Sequence, residues 1–291
     1  MNKKQAVPTD AERALLARFC APPGSDTPAP CVVVIAAHPD DEVIGLGARL
    51  PRLGEARPPF PAFVHVTDGS PHNLHDAHQH GFDTREAYAR ARRKELEVAL
   101  RLAGVYRATA IREIGIVDQE TCNHLVPVAR RLTELLNQLR PHAVITHPYE
   151  GGHPDHEGTA FAVHAALALL RREGVPVPVL LEMTSYHNSS TGLEPATFIN
   201  DDAETVTLTL TPQERAFKQQ LFDCFPTQQG TLQYFPPSVE RFRVAPVYDF
   251  TRPPHEGQLF YEGFNWGMTG AQFCERARQA LVELELGDGP L

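Results

Sequence analysis

Cys31-Val32-Val33-Val34-Ile35-Ala36-Ala37, which runs straight into His38-Pro39-Asp40-Asp41-Glu42, decides how the rest of the chain is read. Seven apolar residues, mostly β-branched and without polar alternation, predict a strand covered on both faces, as in a parallel sheet. Ala62-Phe63-Val64-His65-Val66-Thr67 repeats the pattern and stops at Asp68-Gly69, a turn dipeptide. Between Thr84 and Leu102 the apolar spacing becomes helical, and Gly104 stands where a helix-ending glycine belongs. Further strands are expected over 108–116, 143–146 and 177–183, and further helices over 125–139 and from about His156 to Arg172. Strands alternating with helices in this way predict an α/β, Rossmann-like, doubly wound and mainly parallel sheet with helices on both faces.

On either side of this core the pattern weakens. Residues 1–30 read as a short amphipathic helix, from about Thr9 to Phe19, followed by a proline-rich linker; residues 31–190 form the core. Residues 191–291 form a less regular C-terminal extension packing on that core. Within the extension, 206–210 alternates like a half-exposed strand, 212–223 and 271–286 are helical, and 236–254 reads as irregular chain. Trp266, the only tryptophan, reads as a core or subunit-contact anchor.

The chain has 291 residues and a net charge of −9, with no basic block, which argues against a nucleic-acid or anionic-membrane partner. Five scattered cysteines without a Cys-x-x-Cys favour reduced, buried thiols. With no signal-like N-terminus and no long apolar run, a cytoplasmic protein is expected. Its partner would be a small molecule, and homo-oligomers are left open. Fourteen histidines are present, and where they fall carries the functional reading.

Two short segments join imidazoles to carboxylates. His38-Pro39-Asp40-Asp41-Glu42 ends the first strand, and Gly151-Gly152-His153-Pro154-Asp155-His156 follows the fourth. In a sheet of order 3-2-1-4-5 those strands are neighbours at the point where the order reverses, so both segments flank one crevice. Two imidazoles and a carboxylate converging there make a three-ligand divalent metal site with open positions. A metal-bound water deprotonated by an adjacent non-ligand carboxylate is a hydrolytic arrangement, so one of Asp40 and Asp41 is expected as ligand and the other as base. Of His153 and His156, one binds the metal while the other faces the substrate, and Asp155 between them can orient that second ring.

These segments, with Gly45 and Gly47, resemble the signature of the PIG-L (LmbE-like) family of zinc-dependent N-acetylglucosaminyl deacetylases, over about residues 31–190. Thr67-Asp68-Gly69, Arg92-x-x-Glu95 and Asp118 are further matches. The resemblance implies zinc, or Fe2+ or another divalent ion, on His38, Asp41 and His156, with Asp40 as general base. It also implies His153 as the electrostatic or acid partner oriented by Asp155, and Arg92 and Asp118 near the sugar. Asp68 is carried along as a substrate-binding candidate, and Tyr149 can line the cleft beside Glu150. The implied activity is removal of an N-acetyl or other N-acyl group from an N-acetylglucosaminyl-type conjugate, a linear amide.

Other readings compete. The first segment can be an acid-rich helix start in which Asp caps the first turn. A non-haem iron oxygenase also uses two histidines and one carboxylate, and a non-catalytic sugar-binding module can occupy the same fold. A dinucleotide loop at Gly45-Leu46-Gly47 lacks its third glycine. His72, His75, His78 and His80 read as a solvated loop or a lid over the substrate. Arg92 and Glu95 can form a surface pair, and His65, His124, His142, His147, His164, His187 and His255 carry no functional reading.

Overall fold

A computed structural model describes residues 7–56, 61–105, 111–200, 204–264, 266–287 and 289–291. Its helices are α1 (Asp10–Cys20), α2 (Asp41–Leu46), α3 (Leu50–Gly54), α4 (His75–Gln79), α5 (Arg85–Leu102), α6 (Leu125–Leu139), α7 (Pro154–Arg172), α8 (Pro212–Phe222), α9 (Gln229–Leu232) and α10 (Gly270–Glu283). Its strands are β1 (Val32–Ala36), β2 (Ala62–Pro71), β3 (Ile111–Asp118), β4 (Ala143–Thr146), β5 (Val179–Met183), β6 (Tyr186–Ser189), β7 (Gly192–Pro195), β8 (Val206–Thr209) and β9 (Val239–Val244). The start expected for the third strand, 108–110, lies outside the described residues, as do the first six residues of the expected N-terminal segment.

Seven strands form one sheet in the order β3-β2-β1-β4-β5-β9-β8, the first five parallel and the last two antiparallel. Every residue of β1 and of β4 is buried, because apolar layers cover both faces. One layer packs α6, α7 and α10 through Leu132, Phe161 and Phe273; the other packs α1, α2 and α5 through Phe19, Leu46 and Leu96. The expected strand order is therefore found, with β1 and β4 adjacent and their connections diverging at their carboxyl ends.

The C-terminal segment differs from its sequence reading. It extends the main sheet with β9 and β8, and β9 lies inside the stretch expected to be irregular. A hairpin of β6 and β7 follows β5, where no strand was expected. Both chain ends of the site are set by tight contacts. At Gly69, after the apolar part of β2, φ is +69°, and a Cβ would lie 2.5 Å from the Arg92 guanidinium. At Gly152 a Cβ would lie 2.2 Å from the Tyr186 carbonyl oxygen, so the loop before α7 presses directly on the β6 backbone.

Candidate metal centre

β1 delivers His38, Asp40 and Asp41 to its carboxyl end, and the loop after β4 delivers His153 and His156, so the crevice contains both segments. His38 Nδ1 and His156 Nε2 lie 3.2 Å apart, and the Asp41 carboxylate closes a triangle of residues with Oδ1 3.2 Å from His156 and Oδ2 3.4 Å from His38. A tetrahedral ion with bonds of roughly 2.0–2.1 Å has ligand edges of roughly 3.3 Å, so the edge between the two imidazoles suits such an ion, with one Asp41 oxygen as third donor. All three residues are buried. Two imidazole nitrogens facing each other need a proton or a cation between them, and a hard-to-soft borderline ion suits this nitrogen and oxygen set.

The surroundings orient these donors. His38 turns Nε2 toward Asp118 at 3.2 Å and Asp155 at 3.3 Å, the carboxylate–histidine arrangement that fixes a ligand ring. His156 places Nδ1 3.1 Å from Ser185 Oγ, which leaves Nε2 for the shared triangle. His147, buried at the end of β4, lies parallel to His156 with ring centroids 4.0 Å apart, and its Nε2 is 3.2 Å from Asp41. That same nitrogen accepts the Ala37 N–H at 2.9 Å, so it has no proton to offer the Asp41 carboxylate 3.2 Å away, a contact that a cation on Asp41 would relieve. Sequence reasoning gave His147 and Ser185 no part in the site; neither belongs to a recognisable motif.

A second convergent set, His38 with Asp118, His153 and Asp155, shares the His38 ring. The Asp155 carboxylate in it already accepts the Gln119 N–H at 2.6 Å and the Thr121 N–H at 2.9 Å, and His153 Nδ1 accepts the Asp155 N–H at 3.1 Å. These groups are spent on holding loops and rings, so the His38–Asp41–His156 set is the stronger ion site.

Asp155 departs from its expected task. Its carboxylate lies 3.9 Å from His153 Nδ1, beyond hydrogen-bond range, and serves His38; it is the backbone N–H of Asp155 that orients His153. With Nδ1 accepting, His153 carries its proton on Nε2. Burial, with His38 and His156 nearby, pushes its pKa well below the usual imidazole range, against the pull of Asp118 and Asp41, so the ring is neutral.

Asp40 occupies the N-cap of α2 yet makes no side-chain cap, which disfavours the plain helix-start reading. Arg92 Nη2 holds it at 2.9 Å, while Arg92 Nη1 donates to the Gly69 carbonyl at 2.6 Å. Burial pushes the Asp40 carboxyl up to about 6, opposed by Arg92 and aided by Asp41 and Glu42. Burial also works against charge on His38, but Asp118, Asp155 and Asp41 outweigh it and raise that ring well above its ordinary value. A cation at Nδ1 would take the place of that proton.

The remaining candidates separate. Asp118 and Arg92 are in the site, but their polar atoms face His38 and Asp40. Arg92 and Glu95 are not a surface pair: both are buried, and Glu95 accepts from Thr227 N and Oγ1 at 3.1 and 2.6 Å. Asp68, partly exposed, pairs with Arg85 and accepts the Ser70 N–H. Tyr149 is corrected from a cleft residue to a packing one: its hydroxyl donates to the Arg252 carbonyl at 2.9 Å and its ring packs among Tyr248, Phe250 and Phe273. Glu150 is likewise buried against Arg243 at 3.2 Å. In the histidine-rich stretch, His80 stacks on Tyr88, and no further cluster of three metal-binding side chains occurs there among the described residues. Trp266 lies beside the metal cluster, its ring 4.6 Å from that of His153; its neighbour Asn265 lies outside the described residues.

Residues 33–167 match the family model described as PIG-L: GlcNAc-PI de-N-acetylase. Among curated proteins, a probable N-acetyl-alpha-D-glucosaminyl L-malate deacetylase 2 from Bacillus cereus is 28% identical over 148 residues, half of this chain and 64% of the relative. The match thus spans less than two thirds of that protein. Among solved structures, an N,N'-diacetylchitobiose deacetylase from Pyrococcus horikoshii superposes with a TM-score of 0.53 at 20% identity, covering 83% of this chain and 94% of that one. A 4-carboxy-2-hydroxymuconate hydratase from Pseudomonas putida also superposes, with a TM-score of 0.53 at 16% identity, covering 75% and 96%. The fold is shared by proteins of different reaction, so the chemistry must be argued from the site. No described helix is long and apolar enough to cross a membrane.

Proposed function

We propose that the protein, whose residues 33–167 match the PIG-L family model, is a zinc-dependent hydrolase that removes the N-acetyl or a related N-acyl group from an N-acetylglucosaminyl-type conjugate. The observation that carries this reading is the His38–Asp41–His156 triangle with a carboxylate, Asp40, beside it and outside the ligand set. A divalent ion held by His38, Asp41 and His156 would supply Lewis acidity to the scissile carbonyl and lower the pKa of water. Asp40 removes the proton of the attacking water, and Arg92 keeps one of its oxygens fixed while it does so. His153, neutral and protonated on Nε2, donates to the developing oxyanion. Asp118 and Asp155 hold His38 in place from behind. The proton taken by Asp40 then passes to the departing amine.

The non-ligand Asp40 favours hydrolysis over oxygenase chemistry, which needs no such base. Zinc is preferred because two imidazoles and one carboxylate are a donor set that suits it. The cytoplasm is the proposed compartment, supported by five cysteines that are all free thiols.

The test is to load the chain with zinc, offer N-acetylglucosaminyl conjugates, and score free amine and acetate together with oxygen uptake. Equal amounts of amine and acetate, without oxygen uptake, are expected. Oxygen consumption, or no amine from any conjugate, overturns the reading.

A further inference from the structure

The groups around the candidate metal site fall into two chemical sets. One is a charged wall: Asp40 paired with Arg92, Asp118 turned to His38, and the partly exposed Asp68–Arg85 pair, the member open to hydroxyl groups. The other is a run of rings. His153 lies 4.6 Å from Trp266, and Trp266 stacks on Phe264 at 4.5 Å with planes within 11°. Phe260 lies 5.1 Å from Phe264 and 5.4 Å from Tyr186, which in turn is 5.5 Å from His156.

This aromatic wall is tied to the catalytic loop. The Phe260 N–H donates to the Gly151 carbonyl at 2.9 Å, and Leu259 packs where a Gly151 Cβ would lie, 2.7 Å away. The Glu262 carboxylate accepts the N–H groups of Leu259 and Gly270 at 3.0 and 2.8 Å, which braces the segment and keeps that charge off the wall. The Phe260 end of the wall is therefore anchored to the loop that leads to His153. Yet Phe264 is 46% exposed and Trp266 only partly buried, so the end of the stack away from His153 offers water an apolar surface. All four aromatic residues lie beyond the matched segment 33–167.

We propose that Phe264 and Trp266 form the subsite for the group attached to the amino sugar, and that this subsite selects an aromatic aglycone. The proposal rests on the deacetylase reading above. Because His153 Nδ1 is taken by the Asp155 N–H, its Nε2 is the nitrogen left to meet the reacting amide, and the Trp266 ring lies 4.6 Å from this imidazole. In a 2-amino sugar the anomeric carbon adjoins the carbon bearing nitrogen, so the aglycone leaves the amide within about one ring's width. With the sugar hydroxyls turned to the charged wall, the aglycone falls on the rings, which carry no charge and prefer an aromatic partner.

The sequence supplies its own reporter, since Trp266 is the sole tryptophan. Zinc-loaded protein is titrated with benzyl and with methyl N-acetyl-β-glucosaminide, following tryptophan emission, and free amine is scored in parallel. The benzyl glycoside is expected to perturb the emission at a concentration about tenfold lower, and to show a kcat/KM about tenfold higher. Phe264→Ala should abolish most of that preference, Phe264→Tyr should keep it, and Val282→Ala, on an exposed position of α10, should change neither ratio. Equal half-saturation for the two glycosides with amine release intact, or a preference untouched in Phe264→Ala, overturns the subsite alone. No amine from either glycoside or any other conjugate overturns the deacetylase reading and the subsite with it.

Discussion

The Asp155 carboxylate lies 3.3 Å from the ring of His38, 117 residues earlier, while the ring of His153, two residues away, is held by the Asp155 backbone. An acid between two histidines in sequence thus serves a third one in space. Asp155→Asn should therefore weaken metal binding, because His38 loses an anionic partner on Nε2 and the 119–121 loop loses part of its anchor. A fall in affinity of roughly 10–100-fold is expected. Competition with a chromogenic chelator measures it; a dissociation constant within about twofold of the parent would show that the carboxylate does not tune the site.

Asp40 is predicted to act on rate and not on metal. Its carboxylate is held by Arg92 and lies outside the ligand triangle, so Asp40→Asn keeps the three donors and removes only the proton acceptor. Amine release should drop by roughly 10²–10⁴-fold. Metal content by elemental analysis should be unchanged. Loss of the ion along with activity would instead make Asp40 a ligand.

The acid-imidazole segments were legible because each packs its donors within six residues at the end of an apolar run. His147 was not, since its importance arises from the register of β4 beside β1, which puts its ring flat on His156 and its nitrogen on the Ala37 N–H. β9 was hidden for an electrostatic reason. Glu240 and Arg243 interrupt its apolar pattern and look solvated, yet both are buried, Glu240 against Lys218 at 3.0 Å and Arg243 against Glu182 at 2.7 Å. Charges neutralised by partners far along the chain leave no local trace. The aromatic wall was missed likewise, because Trp266 meets His153 only after the C-terminal segment has folded back over the loop at Gly151.

That loop should be intolerant of a single methyl group. A Cβ at Gly152 meets the Tyr186 carbonyl oxygen at 2.2 Å, and both partners are backbone, so Gly152→Ala must displace one of them. A loss of about 1–3 kcal/mol in urea unfolding is expected. Gly230→Ala is the control: nothing lies within 4 Å of its Cβ position, and the change should cost nothing or stabilise by about 0.4–1 kcal/mol. Equal effects of the two substitutions would contradict the close approach of the loop to β6.

Acid stability should depend on a histidine outside the metal-ligand set, two helical turns beyond His156 on α7. His164, on the inner face of α7, packs edge-on against Tyr248 and Phe250 at 5.3 Å, and burial pushes its pKa down to about 4. The unfolded chain, with an imidazole pKa of roughly 6.5, then binds more protons than the native state between these values. Stability from this group is complete above pH ~6.5 and is lost as pH falls toward ~4, by about 2 kcal/mol at pH ~5. His164→Phe, which keeps the ring and removes the titration, should therefore lose less stability between pH ~7.5 and ~5 than the parent, by about that amount. Urea unfolding at the two pH values decides it: parallel losses in parent and variant would mean that His164 does not resist protonation in the native protein.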